Sequence, residues 1–259
     1  MLKAYTVITG ASEGIGRCFA NALAAKGHNL VLVARNRDRL EALAKELAGQ
    51  HGVDIRVIVQ DLAEPGAAGA IAAATRDLTI DCLINNAGFQ VPIGRFADSE
   101  TSAVHAMIAV NISALTELTR LLIPRLVEHE STIVNVASHA AFQPVPYMSA
   151  YAATKAYVLH FTEALGVEVN DSHPGRVYVM ALCPGATRTE FWSRSNSPVE
   201  KTRFPVMSPE RVVATAMRAM ARRRKTVVIP SLLLALATES LRLSPRALNA
   251  QMAKRLVMP

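Results

Sequence analysis

The residues of this chain best suited to chemistry are a tyrosine and a lysine that stand four positions apart. Tyr151 and Lys155 lie in the run Tyr-Ala-Ala-Thr-Lys-Ala-Tyr-Val-Leu, which favours a helix, and Ser138 stands thirteen residues upstream of Tyr151. Residues four apart share one face of a helix, so the phenol and the ammonium are expected side by side. The pKa of a free tyrosine is about 10, and a neighbouring cation lowers it. The pair therefore predicts general acid–base chemistry, although ordinary helix residues can show the same spacing.

The glycines nearest the amino terminus predict a site for an anion. Residues 4–9 are typical of a strand, residues 17–26 favour a helix, and Gly10, Gly14 and Gly16 lie between them. Glycines in such a turn let a pyrophosphate approach the backbone, while the helix amino terminus favours its negative charge. The spacing Gly-x3-Gly-x-Gly differs from the commoner Gly-x-Gly-x2-Gly, so a simple tight turn between strand and helix remains the alternative.

The end of the second predicted strand bears on which dinucleotide would bind. Residues 29–34 predict that strand, and Arg35 follows it with no acidic residue before Asp38. An acidic side chain here would bind the ribose 2′-hydroxyl of NAD, whereas an arginine accommodates the 2′-phosphate of NADP. We therefore predict NADP(H), with a solvated loop arginine as the alternative. Glu13 complicates this prediction, because its carboxylate lies in the glycine turn and could come near that phosphate.

Strand-like and helix-like patterns alternate along the rest of the chain. Further strands are predicted over residues 54–60, 81–84, 132–137, 176–182 and 226–229, with helical patterns between them. The alternation predicts an α/β fold, a Rossmann-type doubly wound parallel sheet with helices on both faces. Ligands bind such sheets at the carboxyl ends of the strands. The residues that follow the predicted strands at that edge are Gly10, Arg35, Asp61, Asn85, Ser138 and Pro184.

Length and composition limit the class of protein. The 259 residues are 51% hydrophobic and contain no linker-like or repetitive stretch, which predicts a single domain over residues 1–259. Cys18, Cys82 and Cys183 lack metal-ligand spacing, so we expect buried thiols, no metal and a cytoplasmic location. No signal peptide is predicted before the first strand, and no apolar run reaches about 20 residues, so no membrane span is expected.

Taken in order, the motifs resemble those of the short-chain dehydrogenase/reductase superfamily over roughly residues 4–225. A narrower resemblance, to a branch with 3-ketoacyl reductases and some hydroxysteroid dehydrogenases, rests on the residues from Pro144 to Tyr151 and from Leu182 to Gly185. This narrower resemblance does not identify a substrate. The motifs that carry the wider resemblance are Thr9-Gly10-Ala11-Ser12-Glu13-Gly14-Ile15-Gly16, Asp61-Leu62, Asn85-Asn86-Ala87-Gly88, Asn111, Ser138, Tyr151-x3-Lys155 and Pro184-Gly185.

The resemblance implies a role for each matched residue. Tyr151 would be the acid in carbonyl reduction and the base in alcohol oxidation, while Lys155 would lower its pKa and hold the nicotinamide ribose. Ser138 would hydrogen-bond the substrate oxygen, and Asn111 would hold a water that links Lys155 to solvent. The implied cofactor contacts are Gly10, Gly14, Gly16 and Ile15 at the pyrophosphate, Asp61 and Leu62 at the adenine, Asn85 at its ribose, Gly185 and Thr189 at the nicotinamide amide, and in addition Ser12, Arg35, Asn36, Ala87, Gly88, Pro184 and Thr187.

These roles together predict an NADP(H)-dependent oxidoreductase that interconverts a ketone or aldehyde and an alcohol by hydride transfer. The resemblance also implies a homodimer or homotetramer. The alternative from another class is a dinucleotide-binding sensor or regulator that does not turn over. The complete set of Asn111, Ser138, Tyr151 and Lys155 argues against a sensor, because a sensor needs no proton donor.

The resemblance implies that residues 186–208 form a lid over the substrate, and the loss of periodicity in this segment fits such a loop. The segment carries Phe191, Trp192, Phe204 and Met207, which favours an apolar substrate, although these side chains could instead pack the lid onto the body. His139 directly follows Ser138 and could line the pocket, but we expect a loop role without chemistry.

The basic charge of the chain belongs to its last quarter. Residues 201–259 hold twelve lysines and arginines against two glutamates, within a net charge of +7 for the whole chain. In the tail, about 226–259, a helix is predicted from Ser244, with Leu248, Met252 and Leu256 on one face. A basic amphipathic helix can lie on an anionic membrane, but we favour burial of this face against a sister subunit or beside the active site. No nucleic-acid partner is expected, because no recognised binding motif accompanies the basic residues.

Overall fold

Helices and strands alternate along the residues that the structure, a computed structural model, describes, which are 4–191 and 206–257. The strands are β1 (Tyr5–Thr9), β2 (Asn29–Ala34), β3 (Ile55–Val59), β4 (Ile80–Asn85), β5 (Ser131–Val136), β6 (Val177–Leu182) and β7 (Val227–Val228). The helices are α1 (Gly14–Ala24), α2 (Arg37–His51), α3 (Ala67–Ala74), α4 (Thr101–Ile108), α5 (Leu115–Leu126), α6 (Ser149–Ser172), α7 (Pro209–Arg222), α8 (Leu232–Leu243) and α9 (Arg246–Val257), with 3-10 turns at Phe96–Asp98 and His139–Phe142.

The strands form one parallel sheet in the order β3-β2-β1-β4-β5-β6-β7. The chain first runs outward from β1 to β3 and then returns to place β4 on the other side of β1. This reversal leaves a crevice at the carboxyl ends of β1 and β4, which is where open α/β sheets bind ligands. The predicted Rossmann-type doubly wound parallel sheet is confirmed.

Helices cover both faces of the sheet. On one face Phe19 of α1 and Val212 of α7 pack in one cluster with Ile8 of β1. On the other face Leu118 of α5 and Leu165 of α6 pack among the strand side chains. Strands buried on both faces read as nearly continuous apolar runs, which explains the Val-, Ile- and Leu-rich sequences of β2 and β6.

Helices α4 and α5 are joined by a π-helical turn at Ala109–Ala114 into one helix of 26 residues, Thr101–Leu126. An 18-residue stretch of this helix has a mean hydropathy of 1.5, so the helix could cross a membrane by length and composition alone, although the sequence contains no uninterrupted apolar run of about 20 residues. Leu118, Leu122 and Leu126 are fully buried in the cluster beneath the sheet. These three leucines are therefore accounted for by the protein core.

The cysteines are free thiols, of which Cys82 and Cys183 are buried as expected. Cys18 is only half-buried, and its Sγ lies 3.5 Å from a carboxylate oxygen of Glu210. Within the described ranges, no three His, Cys, Asp or Glu side chains are grouped as metal ligands would be.

Candidate active site

A cavity of about 850 Å³ opens at the carboxyl edge of the sheet and joins the residues with predicted chemistry. Ser138 follows β5, and Tyr151 and Lys155 lie one turn apart on α6. All three side chains line the cavity, and Tyr151 and Ser138 are hydrogen-bonded to each other. Asn111 is 1% exposed and lies behind the cavity wall rather than in it.

The ammonium group of Lys155 is buried and held by the backbone. Its Nζ donates to the carbonyl oxygen of Val136 at 2.8 Å and lies 5.9 Å from the centre of the Tyr151 ring. Burial lowers the pKa of Lys155 to about 8, because a charged group loses hydration in the interior. The side chain is therefore still mostly an ammonium at neutral pH.

The pKa of Tyr151 is raised to about 12 by burial, and the hydrogen bond with Ser138 opposes that shift. Lys155 was expected to lower this pKa. In the structure, burial raises it and the hydrogen bond with Ser138 lowers it. The Lys155 ammonium donates to a backbone carbonyl and lies 5.9 Å from the ring centre, and its charge is not among the causes of the tyrosine's pKa shift. Tyr151 is thus fully protonated at neutral pH, which is the form that a proton donor requires.

Asn111 lies in the π-helical turn. Asparagine is a poor helix former, and here it interrupts an otherwise helical sequence pattern. Its Oδ1 accepts from the N–H of Phe89 at 3.0 Å, and its Nδ2 donates to the Phe89 carbonyl and to Thr154 Oγ1, both at 3.0 Å. A Cβ on Gly88 would lie 3.1 Å from Asn111 Oδ1 and 3.2 Å from Lys155 Nζ. Asn111 therefore fixes the loop after β4 to α6 beside Lys155, while its predicted water-binding role stays a prediction.

The glycine turn after β1 has the backbone geometry that an anion site needs. Gly10 and Gly14 have φ values of 65° and 53°, in the left-handed region that favours glycine. A Cβ on Gly16 would lie 2.2 Å from the Gly10 carbonyl oxygen, so Gly16 allows α1 to pack tightly on the turn. Gly16 is not among the residues that line the cavity, and its assignment to the pyrophosphate stays a prediction. The predicted residues of the turn that do line it are Gly10, Ser12, Gly14 and Ile15.

The side chains of the two asparagines at the end of β4, Asn85 and Asn86, point in different directions. Asn85 is 2% exposed, and its Nδ2 donates to Thr119 Oγ1 at 2.9 Å and to Asn135 Oδ1 at 2.8 Å. Asn86 lines the cavity, and its Nδ2 donates to the carbonyl oxygen of Thr9 at 2.9 Å. The side chain of Asn85 is therefore held inside the protein, and its assignment to the ribose stays a prediction. Successive side chains of a strand alternate between its faces, so the sequence did not distinguish the two neighbours.

Arg35 and Asp61 lie at the far end of the cavity, where the adenosine phosphate was predicted. Arg35 Nη1 lies 3.6 Å from Asp61 Oδ2, and Asp61 Oδ1 accepts from the N–H of Ala63 at 2.9 Å. Asn36 caps α2, because its Oδ1 accepts from the backbone N–H of Arg39 at 2.9 Å. The predicted residues that line this end are Arg35, Asn36, Asp61 and Leu62.

A second arginine lines the same end, and the sequence analysis missed it. Arg39 Nη1 donates to Glu13 Oε2 at 2.8 Å and to Glu190 Oε2 at 2.9 Å. Arg39 stands on the first turn of α2, four residues after Arg35, so both guanidinium groups reach the cavity. The sequence could have indicated Arg39, because a helix that begins directly after β2 places the side chains of its first turn beside the end of that strand. The suspected position of Glu13 near the phosphate end of the cavity is confirmed by this contact.

The loops after β4 and β6 supply the remaining predicted contacts. Thr189 packs closely against the glycine turn. A Cβ placed on Gly14 would lie only 3.1 Å from Thr189 Cγ2. The Leu234 Cδ1 atom lies 2.4 Å from the position of a Cβ on Gly185, so only a glycine leaves room for this leucine. The predicted residues of these loops that line the cavity are Ala87, Gly88, Pro184, Gly185, Thr187 and Thr189.

The other end of the cavity is apolar. The Phe191 ring centre lies 5.6 Å from that of Tyr151. The chain supplies this end from the loop after β4, the loop before α6 and the last two helices. Its apolar lining residues are Phe89, Ile93, Val145, Met148, Phe191, Leu234, Ala253, Leu256 and Val257.

The predicted lid is described only at its two ends. Thr187 pairs with Met207, and Met207 N–H donates to the carbonyl oxygen of Ala186 at 2.9 Å, so the segment leaves and returns at one point. Trp192 and Phe204 lie outside the described residues.

Helix α9 packs beside the cavity through a face other than the predicted one. Leu248 and Met252 are 48% and 51% exposed in the single chain, so they are not buried beside the active site, whereas Leu256 of the same face lines the cavity; burial of this face against a sister subunit stays a prediction. Ala253 is buried and clusters with Val145, and Asn249 Nδ2 donates to the carbonyl oxygen of Leu241 at 3.0 Å. Asn249 thereby joins α9 to α8. Asn249 is polar and Ala253 is small, so the apolar pattern of the sequence did not indicate that this face packs against the protein.

His139 connects the loop after β5 to α8. It lines the cavity, and its Nε2 lies 3.1 Å from Thr238 Oγ1. Burial lowers the pKa of His139, so the ring is neutral at pH 7. Its contacts fit the expected structural role beside Ser138.

Comparison with known proteins identifies the family. The family model for short chain dehydrogenases matches residues 4–200. The very-long-chain 3-oxoacyl-CoA reductase of Anas platyrhynchos is 30% identical over 230 residues, which are 87% of this chain and 71% of that protein. The inactive hydroxysteroid dehydrogenase-like protein 1 of Homo sapiens is 31% identical over 195 residues, 74% of this chain and 58% of that protein.

A solved structure agrees with the sequence comparisons. The short-chain dehydrogenase from Sphingobium yanoikuyae in complex with NADPH is 37% identical and superimposes with a TM-score of 0.85, covering 96% of this chain and 95% of that one. The matched family model spans the glycine turn, Ser138, Tyr151 and Lys155. This chain belongs to the short-chain dehydrogenase family.

Proposed function

We propose that this chain is an NADP(H)-dependent oxidoreductase that interconverts a ketone or aldehyde and an alcohol, with Tyr151 as general acid and base. One observation carries the proposal. Ser138, Tyr151 and Lys155 line one end of a cavity, and Arg35 and Arg39 line the other end of the same cavity. A proton donor and two guanidinium groups suited to a 2′-phosphate thus share one space.

The residues around the cavity fit a nicotinamide dinucleotide. Gly10 and Gly14 adopt the left-handed conformation beside the amino terminus of α1, which suits a pyrophosphate. Arg35 and Arg39 provide charge for a 2′-phosphate, and the similar Sphingobium yanoikuyae protein holds NADPH. When bound, the cofactor supplies hydride to a carbonyl carbon or accepts it from an alcohol carbon.

Each polar side chain at the reacting end has a defined task in this proposal. Tyr151 gives its phenolic proton to the carbonyl oxygen during reduction, and Ser138 hydrogen-bonds that same oxygen. Lys155 remains an ammonium below its pKa of about 8 and holds ribose hydroxyls. The pKa of Tyr151, raised to about 12, keeps its proton in place at neutral pH, as proton donation in carbonyl reduction requires.

The lining of the reacting end supports an apolar substrate. Phe191, Leu234 and Leu256 face the cavity around Tyr151, and no Lys or Arg other than Lys155 is among the described lining of this end. We infer that residues 186–208, of which the structure describes only the two ends, cover the substrate, because Thr187 lines the cavity and pairs with Met207.

Consumption of NADPH with a panel of carbonyl compounds tests the proposal. The panel contains aryl alkyl ketones, 3-oxoacyl thioesters and small polar ketones, and NADH is run in parallel. We expect turnover with NADPH that is fastest for the apolar members. Turnover only with small polar ketones contradicts the apolar substrate, and faster turnover with NADH contradicts the choice of cofactor.

A non-catalytic NADP(H)-binding sensor is the second candidate, because the similar human protein is named inactive. Against it stand Ser138, Tyr151 and Lys155, which are all present and brought together in this chain. Calorimetric titration separates the two functions. NADPH binding without turnover of any carbonyl or alcohol in the panel would support the sensor.

We also propose that the chain acts in the cytoplasm as a homodimer or homotetramer. Its free thiols suit a reducing compartment. Large apolar side chains remain exposed on the helix Thr101–Leu126 and on α6, namely Ile108, Leu121, Tyr157 and Val167, and a second copy could cover them. Light scattering gives the mass, and a monomer at all concentrations would contradict this assembly.

A further inference from the structure

Helix α8 exposes a stripe of leucines. Leu232, Leu236 and Leu243 are 78%, 62% and 91% exposed. At 3.6 residues per turn these three positions fall within about 40° of each other around the helix axis. Leu234, by contrast, points inward to the cavity and is buried. An apolar stripe of this kind indicates a contact surface rather than scattered exposed residues.

A groove of about 1860 Å³ between α6, α7 and α8 lies next to this stripe, and Leu236 is part of its lining. Arginines and a lysine from three parts of the chain converge on the groove. None of these cations forms an ion pair with any described residue, while the acidic residues in the described lining are Glu163 and Glu239. The unpaired cations are Arg218, Arg222, Arg224, Lys225 and Arg246.

We propose that the leucine stripe (Leu232, Leu236 and Leu243) and these five cations together dock the protein on an anionic lipid bilayer. The leucines would enter the boundary between headgroups and acyl chains, and the cations would contact lipid phosphates. This proposal reverses the sequence-based preference against a membrane. It stands independently of the proposed enzymatic function.

Charge decides between a bilayer and a second copy of the chain. A two-fold contact places one surface against itself, so the unpaired cations of two copies would approach each other. Like charges repel most strongly where water is excluded. A small soluble anion could neutralise the cations, but it would leave the leucine side chains in water. An anionic bilayer satisfies both the apolar and the charged part of the surface.

Sedimentation of the whole protein with lipid vesicles tests the proposal. One set of vesicles contains phosphatidylcholine alone, and the other contains phosphatidylcholine with phosphatidylglycerol. We expect binding to the anionic vesicles at low salt that weakens as salt rises to about 150 mM, because salt screens the attraction. Equal binding to both vesicle types, or no binding to either at low salt, would overturn the proposal.

Charge variants identify the cations that contribute. The triple variant Arg222→Gln, Arg224→Gln and Lys225→Gln should reduce the vesicle partition coefficient about 10²-fold at low salt, from the usual contribution of three basic residues. Its matched control removes three exposed cations from elsewhere on the surface. An equal loss with the control would refute the assignment to this groove. The control substitutions are Lys26→Gln, Lys45→Gln and Arg76→Gln, of residues that are exposed and make no ion pair in the described chain.

Apolar variants separate the bilayer from self-association. The triple variant Leu232→Asn, Leu236→Asn and Leu243→Asn should weaken vesicle binding while its lipid-free mass and far-ultraviolet circular dichroism stay unchanged. Phe96→Asn is the control, since Phe96 is 62% exposed, as Leu236 is, and lies outside the stripe. A leucine variant that changes the lipid-free mass and still binds vesicles as the unmodified protein does would assign the stripe to a second copy.

Discussion

The two ends of the cavity are built in different ways. The nucleotide end is made mainly by turns that directly follow buried strands, as at Gly10 after β1 and Arg35 after β2. The apolar end is made by side chains such as Leu234 and Leu256, on helices that follow the last described strand. The sheet thus fixes one end through the backbone. The other end depends on side chains that can change while the sheet stays the same.

Substitution of the proton donor, which lies where the two ends meet, should have the largest effect. Tyr151→Phe keeps the ring but removes the hydroxyl, so turnover should fall about 10²–10⁴-fold while NADPH affinity is largely retained. Steady-state rates and a calorimetric titration measure these two quantities. Tyr157→Phe is the control on the same helix, because Tyr157 Oη contacts Thr116 and lies away from the cavity lining. Near-normal turnover of Tyr151→Phe would refute the mechanism.

Removal of the arginines at the nucleotide end should change the choice of cofactor. A hydrogen bond to a charged group contributes about 1.5–3 kcal/mol, so Arg35→Ala should reduce the preference for NADPH over NADH about 10–10²-fold. Arg39→Ala should act in the same direction, since Arg39 lines the same end. Kinetics with both cofactors measure the preference. Arg37→Ala is the control, because Arg37 pairs with Glu41 on the exposed side of α2, and an equal shift there would contradict the assignment.

Stability should respond to pH through Lys155. Its pKa is about 8 when folded and 10.5 in the unconstrained side chain, so the unfolded chain binds more protons between these values. Lys155 therefore lowers the free energy of unfolding by its full amount below pH 8, and this destabilisation is lost as the pH rises towards 10.5. Lys155→Met should be more stable than the unmodified protein at pH 7, by up to about 3 kcal/mol. Denaturant unfolding at several pH values measures the gap, which should narrow above pH 8, and a constant gap would contradict the buried ammonium.

A backbone change at the nucleotide end should destabilise the fold. A Cβ on Gly16 would lie 2.2 Å from the Gly10 carbonyl oxygen, so Gly16→Ala should cost about 1–3 kcal/mol of unfolding free energy and weaken NADPH binding. Gly69 lies in α3 with nothing within 4 Å of its Cβ position, so Gly69→Ala should gain about 0.5–1 kcal/mol. Denaturant unfolding compares the two. Equal effects of the two substitutions would contradict tight packing at the turn.

A side-chain change at the apolar end should leave the sheet and the cofactor unaffected. Leu256→Ala should lower kcat/KM for an apolar ketone about 10-fold, because it removes cavity wall, with little change in NADPH affinity. Met252→Ala lies on the exposed side of the same helix and serves as the control. A loss of NADPH affinity with unchanged kcat/KM for the ketone would show that α9 belongs to the nucleotide end.

The same contrast explains what could be predicted from the sequence. Strand patterns placed Gly10, Arg35 and Ser138 at one edge of the sheet, because parallel strands bury apolar runs and end at one edge. The orientation of single side chains at a strand end was not predictable, as Asn85 and Asn86 show.

Tertiary packing decided the rest of the site. Arg39 reaches the cavity because α2 begins directly at the end of β2. The inward face of α9 is chosen by the fit of Ala253 against Val145 and by the hydrogen bond of Asn249 to α8. Apolar periodicity therefore favoured Leu248 and Met252, which the structure leaves exposed.

The transfer of deuterium from labelled NADPH tests the central claim most directly. NADPH deuterated at C4 of the nicotinamide, in each of its two stereoisomers, is incubated with the protein and an apolar ketone that it turns over, and the alcohol is analysed by mass spectrometry. The account predicts many turnovers per protein chain, with deuterium on the carbinol carbon from one stereoisomer, and loss of this product in Tyr151→Phe. NADPH that binds but yields no deuterated alcohol from any ketone of the panel would contradict the account and favour a sensor.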